Sequence, residues 1–243
     1  MTRSGFYRFG RMAGMRFRKA KWMWESAIGS EADAIRAEHG VGRSMAAAIH
    51  DQGQCNKNAE IHEFLDRIGH ELAKSVRNEL HRFQVTAVSE PHPMAFALPG
   101  GFIFVTPSLV ELCEKNRDEL AFVIAHEMAH VIRRHAINRL LSQKTLSAVS
   151  LASPSVRALG PWIRKIGLQW LERAYSRKQE FEADELGALL MRAADFDQSA
   201  AIRLLQRFGR LKQPSDHFAT GLYLSTHPAI EARILNLRRC LTI

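Results

Sequence analysis

Between residues 58 and 81 the apolar side chains Ile61, Phe64, Leu65, Ile68, Leu72, Val76 and Leu80 recur three and four positions apart. That period predicts an amphipathic helix with one face on a core. The period then drops to two. "FQVTAVS", residues 83 to 89, alternates and is rich in β-branched residues, which predicts a strand. Two more short apolar runs, Phe96 to Leu98 and Phe102 to Val105, flank Pro99, Gly100 and Gly101, a sequence suited to a tight turn or bulge. Thr106 followed by Pro107 marks a helix start, and Asn116 with Glu119 three residues on resembles a capping box. Residues 162 to 192 are mostly helical in pattern, and a further helix covers about 198 to 209. The last helix runs from Thr226-His227-Pro228 to Cys240. Upstream, residues 25 to 54 predict short helices broken at "GVGRS" and "HDQGQC". Many helices with one small sheet make an α+β fold.

Composition adds limits to this picture. A chain of 243 residues, 46% apolar and 24% charged, is long enough for one sizeable core and ordinary for a globular protein. Three cysteines, Cys55, Cys113 and Cys240, form no CxxC pair, which argues against a disulfide framework and against a thiolate metal cluster. Any metal must therefore be held by His and carboxylates. The net charge of +9 is concentrated at one end. Residues 1 to 24 hold seven Lys and Arg, no acid, and the aromatics Phe6, Tyr7, Phe9, Phe17, Trp22 and Trp24; beyond them 27 basic residues face 25 acidic ones. The body thus gives no reason to expect nucleic acid as a partner. The tail itself fits three roles: an arm on an anionic membrane surface, an organellar targeting segment, or a solvated extension. It has no apolar stretch of the kind a secretory signal needs. Nor does any run reach the roughly 18 apolar residues that span a bilayer. The nearest, residues 145 to 171, is interrupted by Pro154, Arg157, Pro161, Arg164 and Lys165.

Chemistry enters at "ELAFVIAHEMAHVIRRH", residues 119 to 135, where His126, Glu127 and His130 interrupt an apolar helix. Positions 126 and 130 lie one turn apart on one face, so two imidazoles can approach one cation. Glu127 sits about 100° around the helix, able to reach a water on the metal without ligating it. An accidental match would sit more often on a polar surface; buried His and Glu need partners, and a metal supplies them. Zinc is the expected ion.

A catalytic zinc site needs a third protein ligand. A third His six residues after the second, with a Gly between, is absent: those positions are Ala136 and Arg133. His135 lies about 180° round the helix from His126, so it is expected to point away, as a surface residue of "RRH". The better source is "SRKQEFEADELG", residues 176 to 187. Read as a helix, it places Glu180 and Asp184 on one face and turns Glu182 away. Glu180 can then ligate while Asp184 hydrogen-bonds the outer nitrogen of a ligand His.

"HEMAH", "SRKQEFEADELG" about fifty residues later, "AFALPGGFIFV" before and "LSTHPAIEARI" after together resemble the zinc metallopeptidases related to heat-shock protease HtpX. That family includes CAAX prenyl endopeptidases, a mitochondrial inner-membrane stress protease and periplasmic proteases of outer-membrane assembly. The resemblance covers about residues 56 to 240. It implies a zincin-like domain with the small sheet beside the active-site helix. It also implies His126, His130 and Glu180 as ligands of one zinc per chain, Glu127 as general base, and Asp184 behind a ligand. It places His227 and Arg233 near the metal: either could steady an oxyanion, or His227 could take the open position in a resting state. "GGFIFV" would be the edge strand that pairs with an extended substrate. Met94 departs from the Asn common before "AFALPGG", and the family's multiple membrane helices are not seen, so prenyl-peptide processing is not expected. The single-domain stress-protease branch is nearest.

The expected organisation is a basic aromatic tail (1–24), a helical lead-in (25–55) and a zinc metallopeptidase domain (56–243). The expected function is endopeptidase action on unfolded or membrane-associated polypeptides in protein quality control. The setting would be cytoplasmic or organellar, with peripheral membrane contact through the tail. The alternatives are a catalytically silent protein-binding module and a membrane-peripheral adaptor.

Overall fold

The computed structural model describes residues 30–51, 55, 56, 58–141, 174–211 and 226–241. The tail at 1–24, the interrupted apolar run at 145–171 and the helical pattern at 162–173 lie outside the described residues. Among the described residues, helices α1 (Glu31–Asp51) and α2 (Ala59–Lys74) precede strands β1 (Gln84–Ala87), β2 (Ala95–Leu98) and β3 (Phe102–Val105). Helices α3 (Pro107–Leu112), α4 (Arg117–Ile132), α5 (His135–Leu141), α6 (Arg177–Ala193), α7 (Ser199–Leu211) and α8 (Ile230–Leu241) follow. The fold is α+β, mostly helical, with one small sheet. No helix among the described residues is long and apolar enough to cross a membrane.

Helix α4 is the axis of the molecule. Every side chain from Glu119 to Val131 is buried, so its sequence is apolar on all faces rather than along one stripe. It is enclosed by α2, β2, α6 and α7. Asn116 caps it by accepting from the backbone N–H groups of Asp118 and Glu119. The box is not closed, because the Glu119 carboxylate turns to Arg207 on α7, 3.2 Å away.

The sheet has order β1-β3-β2, with β1 parallel and β2 antiparallel to β3. Alternation sorts its side chains into two layers. Ala95, Ala97, Ile103 and Val105 face α4 and α2, while Phe96, Leu98, Phe102 and Phe104 face Met45 and Ala46 of α1. Alanines on the inner face of β2 let that strand approach α4 closely. The expectation that "GGFIFV" forms an edge is corrected: β3 is central, paired on both sides, and among the described residues β1 and β2 are the two edge strands. The unbroken apolar run of β3 reflects burial of both its faces, which is separate from how many strands pair with it.

Two helical readings also change. The helix expected over 58–81 stops at Lys74, where Ser75 donates its hydroxyl to Leu72 O at 2.7 Å; Val76 still packs on the core from the following turn. "GVGRS" breaks nothing, and α1 runs through it. Gly42 is there for space: a Cβ would lie 1.7 Å from Pro99 O, so the glycine seats α1 on the β2–β3 turn.

Candidate metal centre

α6 lies against α4 at Gly187, where a Cβ would come within 3.1 Å of His126 N. This close approach brings the acids of α6 to the histidines of α4. Ser176 and Gln179 form a capping box that fixes the start of α6, so Glu180 falls in its first turn, where the helix dipole favours an acid. The turn before α8 delivers His227. It ends in Ala229 at φ 68°, a left-handed conformation costly for a residue with a Cβ. Arg233 Nη1 holds that turn by donating to His227 O at 3.3 Å. The Thr226 carbonyl accepts from Tyr175 N at 3.1 Å, which ties the same turn to the segment leading into α6.

These elements bring His126, His130, Glu180 and His227 together, all buried, with one ligand atom from each within 4.8 Å of the others. His126 Nε2 lies 3.1 Å from His130 Nε2 and 3.3 Å from His227 Nδ1. Glu180 Oε1 is 3.2 Å from His227 Nδ1 and 3.5 Å from His130 Nε2, and Glu180 Oε2 is 3.7 Å from His126 Nε2. A tetrahedral ion with bonds of about 2.0–2.1 Å keeps its donors about 3.3–3.4 Å apart, so the spacing fits a metal.

Proton placement supports the same fit. His126 Nδ1 donates to Asp184 Oδ1 at 2.9 Å, which leaves a lone pair on Nε2, facing the cluster. Burial, against the pull of Glu180, holds His130 well below the usual imidazole range. The two Nε2 atoms, 3.1 Å apart, both face the cluster, at a spacing that a cation between them would bridge. The formal charges point the same way. Among the described residues, the buried carboxylates of Glu180 and Asp184 share the one guanidinium of Arg233, and buried Glu127 stands beside His227, an acid excess that a divalent ion would offset.

Arg233 is fully buried and lies behind the carboxylates rather than in front of them. Its Nε and Nη2 donate to Asp184 Oδ2 and Oδ1 at 2.8 and 2.7 Å, and its Nη1 is 2.9 Å from Glu180 Oε2. Burial pulls both carboxyls upward, but neighbouring charge outweighs it. His227 and Arg233 hold Glu180 well below the usual carboxylate range, and Arg233 with the His126 hydrogen bond lowers Asp184. Arg233 Nη2 and His126 Nδ1, 3.4 Å apart, both direct their hydrogens to Asp184.

Glu127 is buried, and neither of its oxygens has a hydrogen-bond partner among the described residues. His227 Nε2, 3.3 Å from Glu127 Oε1, is at ion-pair distance without hydrogen-bond geometry. A pocket opens here, lined by Met94, Ala95, Phe96, Glu127, Tyr175, Thr226 and His227. The edge strand β2 therefore borders the site.

Two residues of the centre were not legible in the sequence. Tyr175 stacks on His130, with ring centroids 3.8 Å apart and planes 16° apart. Its sole sequence signal is its place directly before the capping Ser176. His135 is buried, not a surface residue, and its Nδ1 lies 3.0 Å from His130 Nδ1. The angular argument failed because α4 ends at Ile132 and Arg134 takes φ 60°, which starts a new helix at His135 in a different direction. Arg134 is held in that turn by buried Glu38 of α1, Nε to Oε1 2.7 Å.

Comparison with known proteins gives the centre a context. Residues 58–241 match the profile of peptidase family M48. A mitochondrial metalloendopeptidase OMA1 of Schizosaccharomyces pombe is 34% identical over 161 residues, 66% of this chain and 47% of that protein. The OMA1 of Saccharomyces cerevisiae is 32% identical over 165 residues, with the same coverage of 66% and 47%. A putative beta-barrel assembly-enhancing protease of Vibrio cholerae is 28% identical over 193 residues, 73% of this chain and 38% of that protein. The chain spans less than half the length of these relatives.

Proposed function

The chain belongs to peptidase family M48, and from that premise we propose that it is a zinc-dependent endopeptidase cleaving unfolded or membrane-associated polypeptides in protein quality control. The observation that carries the reading is the convergence of His126, His130, Glu180 and His227 beside the carboxylate of Glu127, which has no hydrogen-bond partner among the described residues. In this reading His126, His130 and Glu180 hold zinc, and His227 takes the fourth position in a resting state. Bound there, zinc would polarise a scissile carbonyl and acidify a water.

The remaining chemistry belongs to the chain. Glu127 takes a proton from a water in the pocket and passes it to the departing amine. Asp184 orients His126, and Arg233 clamps Asp184 and Glu180, a positioning role in place of oxyanion contact. β2 offers its main chain to an extended peptide beside Glu127, which suits loose sequence preference. The mitochondrial relatives support an organellar setting. Residues 1–24 would then supply peripheral contact through their cations and aromatics. A silent binding module is disfavoured because a buried carboxylate without a hydrogen bond among the described residues is costly to keep unless it acts.

The test is cleavage of unfolded casein by the purified, zinc-loaded chain. Cleavage is expected, o-phenanthroline stops it, and deletion of residues 1–24 spares it in solution. Silence from both wild type and His227→Ala, each holding zinc, would favour the binding-module alternative.

A further inference from the structure

His135 and Glu182 lie outside the donor set yet form a chain that ends on it. Glu182 Oε2 is 3.1 Å from His135 Nε2, and His135 Nδ1 is 3.0 Å from His130 Nδ1. A carboxylate accepts, so His135 Nε2 carries the hydrogen. A neutral His135 then has a lone pair on Nδ1, and His130 Nδ1 must donate to it. His130 is left with its lone pair on Nε2, the atom that faces His126 and Glu180. Tyr175, stacked on the same ring, limits its tilt.

We propose that His135, set by Glu182, is the positioning residue for His130, fixing its tautomer and ring orientation as Asp184 does for His126. The proposal rests on the reading that this cluster holds a metal. It gives α6 three roles at alternate positions: Glu180 to the donor set, Glu182 to His135, and Asp184 to His126. It also gives the turn at Arg134 a purpose, because without the left-handed residue His135 would continue along α4 and point elsewhere. Glu182 is about one-third exposed, and its other oxygen faces Lys178 Nζ at 3.7 Å, an exposed contact of little weight.

The test is zinc affinity, measured by competition with a chromophoric chelator, together with the visible spectrum of the cobalt-substituted protein. His135→Leu removes the acceptor at similar bulk and is expected to weaken zinc binding by about 10–100-fold. His135→Asn places a carbonyl oxygen where Nδ1 stood and is expected to recover most of that loss. Glu182→Gln, which still accepts from His135, should bind zinc nearly as wild type, whereas Glu182→Leu should bind several-fold more weakly. Wild-type affinity in folded His135→Leu, or equal losses in the Leu and Asn variants, would overturn the proposal. If His135→Leu does not fold, Glu182→Leu decides: weaker zinc with an altered cobalt spectrum supports the role, and unchanged values overturn it. A wild-type chain that took up no zinc would remove the underlying reading and this role with it.

Discussion

Glu127→Gln should abolish casein cleavage for practical purposes, lowering kcat by about 10²–10⁴-fold, the range contributed by a general base. The substitution keeps the shape of the side chain and removes its basicity. Glu127 stands beside the donor cluster and is not one of the four converging donors, so the variant should hold as much zinc as wild type. Its stability should be equal or higher, because a neutral amide is cheaper to bury than a carboxylate without a hydrogen-bond partner. Rate, zinc content and thermal midpoint measured on one preparation check all three. Loss of zinc together with loss of activity would mean that Glu127 holds the metal site together, and cleavage at the wild-type rate would remove it from the chemistry.

Arg233→Met should be the most damaging substitution for the fold of the centre. Arg233 is fully buried and donates twice to Asp184 while facing Glu180. Methionine fills much of the volume but leaves both carboxylates without their guanidinium. Breaking a buried ion pair by removing one partner costs about 3–5 kcal/mol. Asp184 would then lose its orientation, and with it the hold on His126. Chemical denaturation of the zinc-free protein should show that loss, and zinc affinity should fall with it. Arg233→Lys should rescue only in part, since an ammonium cannot reproduce the two parallel bonds to Asp184. A cost below about 1 kcal/mol, ordinary for a surface pair, would show that Asp184 and Glu180 do not depend on this clamp.

What the sequence made legible follows from the range over which each local rule applies. Within one uninterrupted helix, spacing determines faces, so His126 and His130 could be placed together, and Glu180 with Asp184 likewise. Strands β1 to β3 were visible because their apolar runs are short and bounded by turn residues. Pairing order was not, because nothing within "GFIFV" says whether one strand or two will bind its edges. His135 was lost for another reason. The angular rule assumes the helix continues, and Arg133 and Arg134 contain no Gly or Pro to announce the left-handed turn. That turn is stabilised by Glu38, 96 residues away in sequence, a contact invisible to any local window. The continuity of α1 through "GVGRS" has a similar origin, since Gly42 answers to the Pro99 carbonyl and not to its own helix.

The most direct test of the central claim is a zinc titration of the stripped protein, followed by casein cleavage. The account predicts no cleavage without metal, a linear rise as zinc is added, and a break at one zinc per chain. Cleavage that survives complete removal of zinc, or a zinc-saturated chain that never cuts, would contradict it.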